Sequence, residues 1–278
     1  MKTANHEIIK LNPDLNMRYQ VIEVPYSYSA MHWHNSMEIL FVRSGKLYVS
    51  TNESSDILST NDFAVIDRKQ IHTTVCKEPS KFLLIQIPYD FLKQFLPNIE
   101  SLRIPYVCSL SMKDKRIHMN ALRDILVQLT SLCENQYKNY QLKYYSLIFD
   151  FLDLLVRQFK IDLSSKEIRQ TEKYIERLSL ITDYVSNHYH EPISLEEGAN
   201  ILSVTPEYFA RFFKKYMGVT FLDYVYSIRL QAAYQDVLNT DLSIQEIQNR
   251  NGFTSPKIFS RMFREQYSMT PCEVRRLQ

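Results

Sequence analysis

Glu207, Arg211 and Lys214 return fifty positions later as Lys257, Arg261 and Arg264. At about 100° per residue, each trio leaves one face of a helix, with Ala210 and Ser260 on the flanks. Arginine and lysine can bond a guanine edge or clamp a phosphate, and glutamate can accept from a cytosine amino group. Charges on one surface helix are usually only solvated. Recurrence of an arginine and a cation at matching outward positions is the informative part. A second constellation is His32, His34, Glu38 and His72. Three imidazoles and a carboxylate suit a metal ion. A polar pocket lining without metal is the reading taken, with a set of hydrogen-bonded structural histidines and a metal site as the alternatives.

The outward cations belong to a repeat. Thr205-Pro206, Phe209, Arg211, Phe213, Lys214 and Thr220 align with Ser255-Pro256, Phe259, Arg261, Phe263, Arg264 and Thr270. Upstream the offset drops to forty-nine, pairing Leu195 with Ile244 and Glu197 with Glu246, so the second copy has one extra residue in its turn. Phe209, Phe212, Phe213 and Tyr216 form an apolar helical stripe, as do Phe259, Met262 and Phe263. Thr205 and Ser255 are N-caps followed by a proline, and Gly218 is a stop. Shorter helices, Ser194–Leu202 and Ser243–Asn249, precede them. This is the helix-turn-helix grammar, twice, at about 194–217 and 243–267, whose second helix enters the major groove. The intervening Phe221–Leu238 has no glycine or proline. As a helix it spans about 27 Å, enough to hold two heads on successive major-groove faces about 34 Å apart.

From about Ile175 to Gln278 the chain resembles the DNA-binding domain of the AraC/XylS family of bacterial transcription regulators. Leu195, Ala199, Phe209, Phe213-Lys214, Gly218, Arg229, Ala232, Ile244, Ile247, Gly252-Phe253, Phe259, Phe263 and Thr270-Pro271 carry the likeness. It implies base-reading positions at Glu207, Ala210 and Arg211, and at Lys257, Ser260 and Arg261. Three residues depart from the family pattern. Gly198 stands for an aliphatic residue, at about 1 kcal/mol of helix propensity. Gln248 stands for a small alanine, and Ser268 for a glycine. Through Gln248, Ser268 and the extra turn residue the second motif is expected to be a looser copy, or one that contacts backbone more than bases.

Length and composition (278 residues, 45% hydrophobic, 13% aromatic) imply two globular domains. With no apolar run of membrane-spanning length and no signal peptide, a cytoplasmic protein with no membrane partner is expected. Cys76, Cys108, Cys133 and Cys272 lack metal-type spacing and should be reduced. From Lys166 to Gln278 there are 14 Lys/Arg and 14 Asp/Glu. The half proposed to meet DNA is therefore neutral, and its basicity is local to the two reading helices.

The first half reads as short strands: Arg18–Val24, Met37–Val42, Lys46–Thr51, Asp62–Asp67, Thr73–Cys76 and Phe82–Ile87, a barrel or sandwich. His32-x-His34-x3-Glu38-x6-Gly45, then His72, resembles the first cupin motif and the histidine of the second. On one extended strand His32, His34 and Glu38 share parity and point into one barrel. Trp33 faces the other way, as packing. Tyr19, Tyr26 and Tyr28 lie near the barrel mouth in this reading, and Tyr19 and Tyr28 with the four cluster residues make the ligand set. The family likeness adds an N-terminal arm, Met1–Asn16, that folds over ligand. From Asp114 the period becomes helical: Ile117, Ala121, Leu122, Ile125, Leu126, Leu129, Leu132 and Cys133 form one stripe. Leu142, Tyr145, Ile148, Phe149, Leu152, Leu155 and Phe159 form a second. The second is apolar over more than one face, which suits a partner chain.

The expected fold is α+β in two domains. Residues 1–160 form a cupin-like β-barrel with an antiparallel helix pair, 161–171 a linker, and 172–278 an all-α domain of two helix-turn-helix motifs joined by a linker helix. The expected function is a non-enzymatic, sequence-specific transcription regulator, an activator controlled by a small-molecule effector, which the family likeness suggests could be a sugar. Double-stranded promoter or operator DNA, the effector, a second copy through helices 114–160 and RNA polymerase are the expected partners. No cofactor is expected. The rival readings are a metal-dependent cupin enzyme fused to a DNA-binding domain and a constitutive regulator with a vestigial barrel.

Overall fold

Short strands punctuated by turns dominate the first 110 residues of the computed structural model, which describes residues 10–51, 54–109 and 115–276. They are β1 (Arg18–Val24), β2 (Ser27–His32), β3 (Ser36–Ser44), β4 (Leu47–Thr51) and β5 (Ser55–Leu58). After them come β6 (Phe63–Ile66), β7 (His72–Cys76) and β8 (Ser80–Pro88). Helix α1 (Tyr89–Phe95) follows, then the two-residue strands β9 (Leu102–Arg103) and β10 (Val107–Cys108). The two main sheets, ordered β1-β8-β3-β6-β10 and β2-β7-β4-β5, are antiparallel and share no ladder among the described residues. The unit is an open two-sheet sandwich and not a closed barrel.

Alternation on β3 and β8 defines the layers. Met37, Ile39, Phe41, Leu83, Ile85 and Ile87 join one core with helices α2 (Arg116–Glu134) and α3 (Tyr140–Phe159). Leu40, Val42, Phe82 and Leu84 face the smaller sheet and meet Leu47, Val49 and Leu58. Period-two side-chain direction sends alternate residues to opposite faces, so one strand serves two cores. The six expected strands are present within a residue or two of their ends. Strands β2 and β5 were not foreseen. The helix pair is as expected except at Ile117, Leu142 and Phe149, which are 83%, 78% and 36% exposed and outside the buried stripes.

The expected linker 161–171 is structured. Strand β11 (Ile161–Asp162) pairs with β9, and Ser164 opens helix α4 (Ser165–His188) with a capping box closed by Glu167. A hydroxyl at N-cap and a glutamate at N3 satisfy two otherwise orphan backbone donors, which outweighs the polar composition that reads as a linker. Helices α5 (Leu195–Ile201), α6 (Pro206–Met217), α7 (Phe221–Asn239), α8 (Ile244–Arg250), α9 (Pro256–Tyr267) and α10 (Pro271–Arg276) follow. The expected order of elements holds throughout this half.

The two halves share hydrophobic cores. Ala30, Trp33 and Ile71 of the sandwich are buried with Phe209, Phe213, Phe221 and Tyr224. Tyr26 is buried with Leu230, Phe259, Phe263 and Tyr267, its ring 5.0 Å from that of Tyr267, and its hydroxyl donates to the Gln266 carbonyl. Strand β2 is thus the docking edge: its outer face is covered by the helical unit. Of the N-terminal arm, residues 10–16 are held down. Asn12 Oδ1 accepts from the Tyr19 amide at 2.8 Å, and Tyr140 donates to Asp14 at 2.6 Å. The rest of the expected arm, residues 1–9, lies outside the described residues.

Candidate nucleic-acid interface and buried histidine cluster

Both reading helices begin and end by local chemistry. Thr205 and Ser255 accept from the amides of Tyr208 and Ile258, and a proline occupies the first turn of each helix. The shorter helices open with capping boxes, Ser194 with Glu197 and Ser243 with Glu246. That explains why these glutamates align in the repeat. Gly218 (φ 76°) and Ser268 (φ 55°) close α6 and α9 in the left-handed region, each amide bonded to the carbonyl four residues back at 3.0 and 2.8 Å. A left-handed serine costs about 1–2 kcal/mol, yet the closure is the same.

The expected looseness of the second copy is therefore absent from the architecture. Gln248 is buried and its amide donates to the Phe253 carbonyl at 3.2 Å, so the larger side chain is a fastener. The extra turn residue follows Gly252, whose φ of 75° matches the 53° of Ser203 in the first turn. A Cβ on Gly252 would lie 2.8 Å from the Tyr189 carbonyl oxygen. Only glycine allows that approach.

Glu207, Arg211, Lys214, Lys257, Ser260, Arg261 and Arg264 are all exposed, and Ala210 is half-buried. The stripes behind them, Phe209, Phe213, Phe259 and Phe263, are buried. Arg261 lies 3.9 Å from Glu265 one turn on, with both about two-thirds exposed; such a pair is weak and easily exchanged for a phosphate. Arg177, on α4, carries no motif that would have marked it in the sequence. Its guanidinium donates to the Tyr208 hydroxyl at 3.2 Å and lies over Phe212, extending the cationic face of the first head.

In the sandwich His32, His34, Glu38 and His72 converge. His34, Glu38 and His72 are buried and His32 is half-buried, and one ligand atom from each lies within 4.8 Å of the others. They do not share a strand as the parity reading supposed: His32 ends β2, His34 lies in the turn after it, Glu38 is in β3 and His72 opens β7. The turn, not the pleat, brings them together. Each histidine has its Nδ1 against a backbone carbonyl: Ala30 at 2.8 Å, Ser36 at 3.0 Å and Gln70 at 2.8 Å. Such bonds fix ring orientation and aim Nε2 at the centre, as second partners do for metal-ligating histidines.

The His34 Nε2 lies 3.0 Å from Glu38 Oε2, and the His72 Nε2 3.6 Å from Oε1. Imidazole nitrogen facing carboxylate oxygen is held by a shared proton or by a cation bound to both. Burial pushes the Glu38 carboxyl up, but His72 and His34 outweigh it and hold it well below the usual carboxylate range. Burial first, then His72 and His34, lowers His32 to about 3, so it is a neutral imidazole at pH 7. Gln86 donates to Glu38 Oε2 at 2.8 Å. It was missed from the sequence, although a polar residue at the inward parity of Phe82 and Leu84 was the available signal. Three imidazoles and a carboxylate are a donor set of the kind that holds a metal, and their ligand atoms, within 4.8 Å of one another, would have to draw closer to share one ion at about 2.1 Å per bond.

Of the two tyrosines in the expected ligand set, Tyr19 lies away from the cluster and Tyr28 beside it. Tyr19 faces the helices, with its hydroxyl 3.1 Å from that of Tyr140 and its ring 5.4 Å from that of Tyr144. Tyr28 borders the inner space beside His32 but meets Tyr267 edge-on at 6.2 Å, and Tyr26 belongs to the docking edge. Trp33 packs, as expected, though against the helical unit.

Two capped helix-turn-helix motifs on one rod-like helix, with basic faces outward, define a DNA-binding protein of the double helix-turn-helix class. Residues 199–277 match the family described as a helix-turn-helix domain. The HTH-type transcriptional regulator YdeC of Bacillus subtilis is 22% identical over 260 residues, spanning 90% of this chain and 87% of that protein. A Staphylococcus aureus HTH-type transcriptional regulator is also 22% identical, across 87% of this chain, but the chain covers only 31% of that protein's length. The structure of ToxT from Vibrio cholerae aligns over 93% of this chain and 97% of its own at 13% identity, with a TM-score of 0.50; this shows a shared two-unit fold. The C-terminal part of the chain is thus a helix-turn-helix domain of the AraC type, and the chain as a whole is similar to proteins named HTH-type transcriptional regulators. No helix among the described residues is long and apolar enough to cross a membrane.

Proposed function

We propose that the protein is a sequence-specific activator of transcription that reads promoter or operator DNA through Glu207, Ala210, Arg211 and Lys214 in one head and Lys257, Ser260, Arg261 and Arg264 in the other. The observation that carries this is the duplicated, identically capped reading helix with exposed cations at matching places. A small effector acts from the space between the two sheets, and two copies join through α2 and α3 before engaging RNA polymerase. Ile117 and Leu142, 83% and 78% exposed on that helix pair, support the joining surface. The metal-dependent enzyme reading draws on the histidine cluster. The cavity beside it is only about 170 Å³, against about 300–1,000 Å³ for drug-sized ligands, which leaves an organic substrate little room and favours the regulator.

Arg211→Ala is expected to weaken binding to a duplex selected by the full chain by about 1–3 kcal/mol and to relax base preference at one position. Lys214→Ala should weaken selected and random duplexes alike and reduce the salt slope by about one. Fluorescence anisotropy at several salt concentrations reads both. An equal loss for Arg211→Ala on random DNA removes its base-reading role.

A further inference from the structure

We infer that Lys173 and Arg177 of α4, together with Lys215 of α6, clamp backbone phosphates beside the first reading head and give it a hold on the duplex that the second head lacks. This rests on the reading of the helical unit as the DNA-binding part. The two residues on α4 lie outside the span 199–277 that matches the helix-turn-helix family.

Charge is concentrated here in a half that has none overall. Between α4 and α6 runs an open cleft of about 620 Å³ whose walls carry Lys173, Arg177, Arg211 and Lys215 and, among the described residues, no carboxylate. From Lys166 onward 14 Lys/Arg balance 14 Asp/Glu, so four cations around one cleft without an acid are a local excess. Such a concavity lined by one sign of charge focuses the field and draws in the opposite sign. Its aromatic floor holds two of the cations in place. Arg177 donates to the Tyr208 hydroxyl at 3.2 Å and lies over Phe212 at 5.9 Å, and Lys215 lies over Tyr216 at 5.1 Å. Tyr216 is itself stacked on Tyr174 at 4.4 Å. The rings turn their faces to one another and to the cations. The cleft therefore offers charge to a phosphate, and little face on which a nucleobase could stack.

Position selects the duplex backbone as the source of that phosphate. Arg211 belongs both to the cleft and to the outward face of the first reading helix. Lys173 and Arg177 stand one turn apart on α4, as Arg211 and Lys215 do on α6, so each pair shares a helix face. With a reading helix seated in the major groove, the charges next to it are the phosphates along the groove's edge, and contacts to them fix register without reading sequence. The second copy breaks the pattern. Fifty positions on, Ile258 replaces Tyr208 and Glu265 replaces Lys215, and Glu265 lies 3.9 Å from Arg261. There the acid offsets the cation that the first head leaves open to a phosphate. Helix α4 also begins directly after β11, which pairs with β9 of the sandwich. Lys173 is eight residues from its start, about 12 Å along the axis. The clamp thus stands on the helix that joins the two units.

The test uses the full chain, with affinity measured by fluorescence anisotropy across a salt series on a duplex it selects from a random library and on a random duplex. The double variant Lys173→Gln with Arg177→Gln should lower the salt slope by about 1.8, from two lost phosphate contacts at about 0.9 each. The parent's advantage over it should then shrink about tenfold between about 50 and 200 mM salt, alike on both duplexes. Lys173 is exposed, so Lys173→Gln alone tests the clamp even where the change at Arg177 disturbs Phe212. Arg177→Lys should keep the slope, since a phosphate contact needs the charge. Duplexes carrying one uncharged methylphosphonate at a time locate the contact: at flanking positions of one half-site they should weaken the parent and leave the double variant unaffected. A slope in the double and single glutamine variants equal to the parent's, or methylphosphonates that weaken parent and double variant equally at every position, overturns the inference while DNA binding stands. Absence of duplex binding by the parent overturns the DNA-binding reading beneath it.

Discussion

Replacing Arg229 by alanine is expected to destabilise the helical unit by about 3–6 kcal/mol, from two hydrogen bonds of a charged group at about 1.5–3 kcal/mol each. Arg229 lies on α7, between the two heads, and is only 7% exposed. Its Nε donates to the Tyr189 carbonyl at 2.6 Å and a terminal nitrogen donates to the Glu191 carbonyl at 2.7 Å. These carbonyls follow α4, so one guanidinium ties the entrance of the first motif to the rod that carries the second. Gly252, in the second turn, leaves room for this tie: a Cβ there would lie 2.8 Å from the same Tyr189 carbonyl oxygen and 3.0 Å from Arg229 Nε. Burial lowers the Arg229 pKa, but from so high a starting value that the group stays charged. Lysine should not rescue it, because an ammonium lacks the fixed fork that reaches two carbonyls at once. Urea unfolding followed by far-ultraviolet circular dichroism measures the loss. A midpoint within error of the parent for either variant would show that Arg229 is not the fastener described.

Gly198→Leu is expected to cost at least about 3 kcal/mol and to abolish duplex binding by the first head, since overpacking typically costs 1–3 kcal/mol and here meets two fixed rings. The helix-propensity argument points the other way, with glycine about 1 kcal/mol poorer than alanine. Geometry decides. A Cβ at 198 would lie 2.5 Å from Phe209 Cε1 and 3.1 Å from Phe221 Cε1, and both rings are fully buried and packed edge-to-face at 5.0 Å. Even Gly198→Ala should therefore lower stability despite its better propensity. The double variant Gly198→Ala with Phe209→Leu should recover part of the loss, giving a coupling of roughly 0.5–3 kcal/mol. Thermal melting of the four chains completes the cycle. An alanine variant as stable as the parent would mean that the Phe209 ring yields freely.

These two residues also mark how far the sequence could be read. Both were visible: Arg229 as part of the family pattern, Gly198 as a departure from it. Neither role was. The partners of Arg229 are backbone carbonyls forty residues away, and carbonyls have no letter in a sequence. Gly198 reads as a propensity defect until the ring that fills its missing side chain is located. Strand β2, with its run Ser27-Tyr28-Ser29-Ala30-Met31-His32, was overlooked for a related reason. Its apolar partners are in the other unit, so its pattern does not report its own sheet.

What the sequence determined by itself is whatever local chemistry and periodicity encode. The repeat, its caps and stops, the outward cations and the apolar stripes put the double helix-turn-helix within a residue or two of its observed place, because capping and helical period act over three or four residues. The types of the four cluster residues were likewise legible. Tertiary structure alone decided that the turn between β2 and β3 gathers those residues, that the sandwich stays open, that Tyr19 faces the helix pair, and that the segment read as a linker becomes helix. It also decided that the two halves share hydrophobic cores. Burial of side chains across long sequence separations sets these outcomes, and a linear pattern shows that a face is apolar without showing what covers it.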